Sequence, residues 1–186
     1  MIKVSKMSGK LDGLEGINTN PLTNDFCSKM SKTEAVCSFC YSRKMVATYR
    51  KSAADAWSHN GNELSTGCIE IPKIKKDLIR FHAHGELINK QHYNNFVEIA
   101  VAYPDKTFAL WTKRKDLIGN KPDNMVLVYS NPCIDKPLNK PPKGFDKVFN
   151  VMTEDNGNIQ CAGKKCKDCQ LCYKSNLTVI NELLRK

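Results

Sequence analysis

The sequence has no long run of apolar residues. No stretch reaches the about 18 consecutive apolar residues that a membrane-spanning helix needs, so we expect no transmembrane segment and no membrane partner. The first residues, MIKVSKMSGKLDG, also lack the apolar core of a secretory signal peptide. We therefore expect a soluble protein of the cytoplasm.

Acidic residues are also scarce. Nineteen Asp and Glu face 29 Lys and Arg, which leaves a formal net charge of +10. A basic excess of this size attracts nucleic acid or anionic cofactors, and it is equally typical of a lysine-rich solvated surface. The sequence offers no recognition-helix motif and no clear set of base-stacking aromatic residues. The charge therefore leaves nucleic acid as an open partner.

Internal repeats are absent, and the 186 residues suggest one domain with a small C-terminal appendage. Hydrophobic residues make up 41% and charged residues 26% of the chain, which excludes wholesale disorder. The polar stretch Asp155–Asn158 is the candidate boundary. We divide the chain into an α/β part, residues 1–155, and a cysteine-rich cluster-binding segment with a terminal helix, residues 156–186.

Cysteine is the residue that the chain has in abundance, with nine copies. In a reducing compartment cysteines indicate metal or redox chemistry rather than disulfides, and an odd number fits a disulfide framework poorly. Cys68 and Cys133 stand alone in the sequence, where ordinary thiol packing explains them as well as ligation does. The other seven cysteines form two groups.

The first group has the spacing Cys27-x9-Cys37-x2-Cys40. A Cys-x2-Cys step at the start of a helix directs two thiolates at one metal centre, and a third cysteine completes a three-point mount. Three protein ligands on a [4Fe-4S] cluster would leave one iron open to a substrate or cofactor. Zinc sites also use Cys-x2-Cys pairs, so the spacing alone leaves zinc as the alternative.

The second group is denser, with the spacing Cys161-x4-Cys166-x2-Cys169-x2-Cys172. Zinc ribbons have two cysteine pairs, one on each side of a longer spacer. Successive cysteines with two residues between them are instead typical of ferredoxin-type clusters. Three nearby lysines would offset the negative charge of a thiolate-bound cluster. The two groups predict either two clusters or one cluster with ligands from both. The lysines are Lys164, Lys165 and Lys167.

Strand and helix patterns alternate after the first cysteine group, which predicts an α/β fold with a parallel sheet. The strands are too few for a complete eight-stranded barrel. We predict a partial (β/α) barrel or a small open, mostly parallel sheet with helices, plus the cysteine-rich C-terminal segment. The predicted strands are Ile2–Met7, Leu78–His82, Thr107–Thr112, Met125–Ser130 and Lys147–Met152; the predicted helices are Tyr41–Trp57, Gln91–Tyr103, Lys113–Ile118 and Ser175–Arg185, with a turn at His59–Asn62.

Polar residues follow the predicted strands at their carboxyl ends, where open α/β sheets bind ligands. His82 and His84 alternate by two, which predicts that both face one side of the sheet, and Glu86 follows them. These three are the candidate catalytic residues, although backbone-bonded histidines and a helix-capping glutamate explain the pattern too. Ser130 and Asn131 end a later strand and are candidate cofactor-binding residues.

Three segments of the chain carry a resemblance to a known family. PLTNDFCSKMSKTEAVCSFCYSRK, IRFHAHGELINKQHYNNFVEIAVAYPDKTFALWTK and CAGKKCKDCQLCY together resemble the gene product eighty-eight family of bacteriophage proteins. The resemblance extends over about residues 20–175 and rests on the order of the motifs. It implies a viral protein in the cytoplasm of an infected host cell.

That family is in turn distantly similar to radical S-adenosylmethionine enzymes. Their three-cysteine loop corresponds to Cys27, Cys37 and Cys40, although nine residues separate the first two here and fewer do in those enzymes. Their cofactor-binding Gly-Gly-Glu corresponds in its last two positions to Gly85 and Glu86. The similarity implies S-adenosylmethionine as a cofactor and an oxidoreductase or lyase reaction.

Two functional hypotheses follow from the sequence. The first is an iron–sulfur protein that uses an open-iron [4Fe-4S] cluster for radical, redox or sulfur chemistry on a small-molecule substrate or redox partner. The second is a zinc-stabilised basic module that binds nucleic acid. A cluster that only stabilises the fold is a third interpretation.

Overall fold

The computed structural model describes residues 1–184. A single sheet of seven strands runs through the chain, with its strands side by side in sequence order. The first two strands pair antiparallel, and every later strand pairs parallel with the one before it. The predicted α/β class and the mostly parallel open sheet are therefore confirmed. The strands are β1 Ser5–Lys6, β2 Glu15–Ile17, β3 Leu78–Phe81, β4 Thr107–Thr112, β5 Met125–Ile134, β6 Lys147–Met152 and β7 Val179–Leu183.

Five helices join or flank the strands in the described part of the chain. The two longest, α3 and α4, contact each other and pack on one face of the sheet, which we call the helix face. No helix within residues 1–184 has both the length and the apolar composition to cross a bilayer. The helices are α1 Asp25–Met30, α2 Tyr41–Thr48, α3 Lys51–Thr66, α4 Lys90–Val101 and α5 Cys166–Cys169.

Side chains alternate between the two faces along each buried strand. In β4, Phe108 and Leu110 enter the core under the helices, whereas Ala109 and Trp111 point to the opposite face. The C-terminal cysteine segment packs on this opposite face, which we call the cysteine face. Because both faces are covered, the strands are apolar almost throughout, as buried parallel strands usually are.

The two edges of the sheet approach each other across the cysteine segment. Lys10, in the β1–β2 hairpin, donates hydrogen bonds to Glu182 of β7 at 2.6 Å and to the Cys161 thiol at 2.7 Å. Lys165 forms an ion pair with Asp12 at 3.0 Å. The sheet is thus an open barrel whose seam is bridged by side chains, and residues 156–184 supply β7 to the same sheet.

The predicted helix Tyr41–Trp57 is two helices. The backbone N–H groups of Tyr49 and Arg50 both donate to the carbonyl of Met45, which ends α2, and α3 then begins at Lys51. The predicted turn at His59–Asn62 is wrong, because these residues lie inside α3. Asn60 is a polar residue on the buried side of α3, and its hydrogen bonds are made to the protein. Its side chain accepts from the Lys3 backbone N–H and donates to the carbonyls of Lys3 and Asn18.

Two further predicted helices are wrong. Residues 113–118 form bends and turns, and the first two backbone N–H groups are held by side chains: that of Lys113 donates to Glu86 and that of Arg114 to the Thr112 hydroxyl. Residues 175–184 contain the strand β7, and Arg185 of the predicted helix lies outside the described residues. Pairing of five residues with β6 and burial of Ile180 outweigh the helical spacing of Leu177, Ile180 and Leu184.

Candidate metal centres

The first cysteine group lies at the carboxyl edge of the sheet, on the loops that follow β2. Cys27 lies on α1, and Asn24 is the residue that caps the start of this helix. The Asn24 side chain accepts a hydrogen bond from the Cys27 backbone N–H at 3.2 Å. Cys37 lies on the 3-10 turn Val36–Phe39, and Cys40 is the residue that precedes α2. Three short elements thus hold the three thiols, although nine residues separate the first two in sequence.

One pocket brings the three thiols together. Cys27, Cys37 and Cys40 line it from one side, and the ends of β3, β4 and β5 line it from the other. Lys113 extends across this pocket and donates from Nζ to the Ser130 hydroxyl at 3.0 Å. The further lining residues from the strand ends are Arg80, His82, Ala83, Gly85, Glu86, Trp111, Lys113 and Ser130.

The surroundings of this pocket disfavour the charged form of two of its thiols. Burial, the nearby Glu86 carboxylate and the other two thiols together raise the pKa of the Cys27 thiol to about 12. Burial also raises the pKa of Cys37, while the Lys113 ammonium lowers the pKa of both thiols. A metal that binds these thiols must therefore displace their protons, as metal ligation of cysteine does.

Glu86 is buried at the rim of the pocket, with 4% of its surface exposed. Its carboxylate accepts hydrogen bonds from the Thr112 hydroxyl, from the Lys113 backbone N–H at 2.8 Å and from its neighbour Leu87 at 2.8 Å. Burial raises the pKa of the carboxyl, whereas Lys113 and these hydrogen bonds lower it. Both oxygens are thus engaged in joining the end of β3 to the end of β4.

The two candidate histidines contact different helices. β3 ends at Phe81, and His82 then takes a left-handed φ of 58°, which breaks the strand alternation. The His82 ring packs against His92 and Phe96 of α4, whereas the His84 ring stacks on Trp57 of α3. Both rings therefore contact helices of the helix face, but only His82 lines the first pocket.

His84 connects the end of β3 to the helix that follows the cysteine loop. Its Nδ1 lies 2.7 Å from the Ser42 hydroxyl, two residues after Cys40. Burial, with the charges of Arg80 and Arg50, lowers the pKa of His84 to about 4, so the ring is neutral near pH 7. His84 therefore positions the loop that carries Cys40.

The candidate cofactor-binding residues take different places. Gly85 and Ser130 line the pocket. Gly85 has a φ of +92°, and a Cβ there would lie 2.2 Å from the Thr19 hydroxyl, so only glycine fits the turn. Asn131 lies outside the pocket lining, and its amide joins β5 to β6 by donating to Asn150 Oδ1 at 2.9 Å.

The second cysteine group folds onto the cysteine face of the sheet. The short helix α5 carries Cys166 and Cys169, and a left-handed residue, Gln170, then reverses the chain so that Cys172 is buried. Cys161 comes from the other side, where its backbone N–H pairs with β7. Burial and the charges of Cys161, Cys166 and Cys169 raise the pKa of the Cys172 thiol to about 12, whereas the Arg80 guanidinium lowers it.

Three buried donors next to this group lack partners. The Arg80 guanidinium stacks on the Trp111 ring at 3.7 Å, and its charge lowers the pKa of both Cys166 and Cys172. Arg80 Nε, Trp111 Nε1 and the Tyr173 hydroxyl make no hydrogen bond of good geometry within residues 1–184, although the Tyr173 hydroxyl lies near enough to the Arg80 guanidinium for its pKa to be lowered by that contact. Buried donors without acceptors are costly, so a set of them suits an anionic group between or beside the thiols.

The spacing of the candidate ligands bears on which metal they could hold. Among residues 1–184, no three His, Cys, Asp or Glu side chains stand close enough to share one metal ion. A tetrahedral zinc site requires its ligands to converge on one point, whereas each cysteine around a cubane binds a different iron and the sulfurs stand farther apart. Cys68 and Cys133 are exposed and belong to neither group.

Arg80 and Lys10 are the residues of this region that sequence reasoning missed. Arg80 lines the first pocket and also influences the second cysteine group, so it lies between the two. A charge in the apolar strand Leu78–Phe81 was the signal that could have revealed it. Lys10 offered no such signal, because its partners Cys161 and Glu182 are more than 150 residues away.

Comparison of the chain with protein-family models, with curated proteins and with solved structures finds no match.

Proposed function

We propose that this chain is an iron–sulfur protein whose first centre, on Cys27, Cys37 and Cys40, is a [4Fe-4S] cluster with one open iron. The observation that carries the proposal is the convergence of these three thiols on one pocket at the carboxyl edge of a parallel sheet. Three thiols would hold three of the four irons of such a cluster and leave the fourth without a protein ligand. That edge is where open α/β sheets bind their ligands.

The second centre is a cluster on Cys161, Cys166, Cys169 and Cys172. The unpartnered donors of Arg80, Trp111 and Tyr173 support it, because the sulfurs of a cluster accept hydrogen bonds. Lys10 already donates to the Cys161 sulfur at 2.7 Å. Because Arg80 lies next to both groups, the two centres are neighbours across the interior of the barrel.

The chain's own residues shape the first pocket for a small-molecule substrate or redox partner. Lys113 places a cation beside Cys27 and Cys37, Ser130 fixes the lysine, and His84 holds the cysteine loop. The resemblance to radical enzymes adds S-adenosylmethionine as a candidate cofactor, for which a cluster would supply the electron. Gly85 and Glu86 would border it, with the Glu86 carboxylate oxygens already bonded to the fold.

The test is anaerobic purification with iron, acid-labile sulfide and zinc quantified beside the visible spectrum. The proposal expects brown protein with iron and sulfide in about equal amounts, and about eight irons per chain for two [4Fe-4S] clusters. Cys27→Ala, Cys37→Ala or Cys40→Ala should remove about half of the iron. Cys68→Ala and Cys133→Ala are matched controls that should remove none.

A zinc-stabilised nucleic-acid module is the second candidate, and the net charge of +10 favours it. Colourless protein with stoichiometric zinc in the metal analysis would select this function and end the iron–sulfur proposal. The spacing of the thiols is against it, because within residues 1–184 they do not converge on one ion.

A further inference from the structure

A surface groove with three exposed aromatic rings opens beside the first cysteine group. Phe39, Tyr41 and Tyr49 line it, and their surfaces are 69%, 62% and 61% exposed. All other aromatic residues of the described chain are buried or half-buried. We call this surface the aromatic groove.

The rings of the aromatic groove are held in place without being covered. The hydroxyls of Tyr41 and Tyr49 lie 2.7 Å apart, which joins the first turn of α2 to the residue after its end. Met45 and Val46 of the same helix are buried. The helix thus uses its apolar side for the core and leaves aromatic rings with polar hydroxyls on the outside.

Positive charge concentrates around the aromatic groove. Residues 29–51 contain six lysines and arginines and one glutamate, which is half of the net charge of the chain in about an eighth of its length. Arg43 is partly engaged, since it donates to the Pro21 carbonyl at 2.7 Å. The other five cationic side chains are exposed: Lys29, Lys32, Lys44, Arg50 and Lys51.

We propose that the aromatic groove binds a single-stranded nucleic acid. Exposed aromatic rings stack on unpaired bases, and lysines and arginines around them neutralise the phosphates, which is the usual composition of single-strand sites. A duplex keeps its bases stacked internally, so it would meet only the cations. A membrane surface would need an apolar helix face, and the apolar face of α2 is already buried in the protein.

The position of the groove connects this binding to the cysteine centre. Cys37 and Cys40 line both the groove and the first pocket. A strand in the groove would pass the mouth of that pocket, which makes nucleotides candidate substrates. The binding itself depends only on aromatic and cationic side chains, so it does not rest on the proposed cluster.

The test is fluorescence anisotropy of labelled 15-residue oligothymidylate and oligouridylate with the full-length protein. Phe39→Ala, Tyr41→Ala and Tyr49→Ala should each weaken binding about 5- to 100-fold, the factor that corresponds to loss of one base-stacking contact. Tyr41→Phe and Tyr49→Phe keep the rings and should retain most of the affinity. Lys44→Ala should lower the slope of log Kd against log salt by about 0.7 if it contacts one phosphate.

Val101→Ala and Lys76→Ala are the matched controls, because both side chains are exposed and lie outside the groove. They should leave Kd unchanged, and circular dichroism should show every variant to be folded. Equal binding of duplex and single strand, preference for anionic lipid vesicles, or unchanged Kd in the three alanine variants would each overturn the proposal. Binding of either DNA or RNA single strands with ring-dependent affinity supports it.

Discussion

The Glu86 carboxylate is the most informative single group to perturb. It accepts from Thr112, Lys113 and Leu87, and it is almost fully buried. Glu86→Gln keeps the shape and one carbonyl oxygen, which can still accept from Leu87 and Thr112. The new amide NH2 replaces the oxygen that accepts from the Lys113 backbone, so two donors face each other.

The expected cost of Glu86→Gln is about 2–3 kcal/mol in the free energy of unfolding at pH 7. One buried donor loses its acceptor, which costs about 1–3 kcal/mol, and the hydrogen bonds that remain lose the assistance of a charge. Thr112→Val removes the hydroxyl at nearly constant volume and should cost about 1–2 kcal/mol. The double variant should show a coupling energy of about 1 kcal/mol, because the two groups are in contact.

Urea unfolding followed by circular dichroism measures these values. A cost below about 0.5 kcal/mol for Glu86→Gln would refute the reasoning, since surface-like effects stay within that range. It would indicate that the carboxyl is protonated in the folded protein, where burial raises its pKa. An unchanged stability together with lost cofactor binding would instead assign Glu86 to the ligand.

Three further perturbations test other parts of the structure. Gly85→Ala should lower the free energy of unfolding in urea by about 2–4 kcal/mol, because φ is +92° and a Cβ would clash with Thr19. Gly157→Ala is the control: φ is +80° with open space around the residue, so the cost should be only about 1 kcal/mol. Equal costs would contradict the proposed clash. Burial lowers the pKa of His92 to about 3 in the folded protein, compared with 6.5 in the unfolded chain. Between pH 6.5 and pH 3 only the unfolded chain binds a proton at this residue. The free energy of unfolding should therefore fall by up to about 1.4 kcal/mol for each pH unit in that range. His92→Gln should make that slope, measured by melting at several pH values, shallower, and an unchanged slope would locate the proton uptake elsewhere. Lys10→Met should lower the free energy of unfolding by about 1–3 kcal/mol, because it removes the donor that Glu182 and Cys161 share. A double-mutant cycle with Glu182→Gln measures the coupling between the two side chains. If there is no coupling, this pair does not hold the two edges of the sheet together.

Short apolar strands with clear ends were predictable from the sequence. β4 and β6 have the bounds that the sequence predicts, because each is a short, mostly apolar run with turn residues on both sides. β7 was not predictable, because the spacing of Leu177, Ile180 and Leu184 also matches a helix. Only the pairing with β6, which lies far earlier in the chain, decides in favour of a strand. Local patterns carry no information about such distant partners.

The candidate site was predictable only as a set of residue types. Cysteine spacing identified two groups, the resemblance to radical enzymes pointed to Gly85, and strand-end position pointed to Ser130; the structure places both residues in the first pocket. The separate helix contacts of His82 and His84 were not foreseeable, because they depend on one left-handed residue after the strand. The place of Arg80 between the groups required the sheet itself, since Cys166 and Cys172 lie far from it in sequence.

The seam of the open barrel has a consequence for how the protein matures. Its contacts join residues 10–12 to residues 161–182, with sequence separations of 151 to 172 residues. Contacts of large sequence separation are slow to form, because their loop-closure entropy must be offset by structure already made. We therefore expect the cysteine segment to close over its face of the sheet late, so that a proposed cluster there would be inserted into a nearly finished fold rather than organise it from the start.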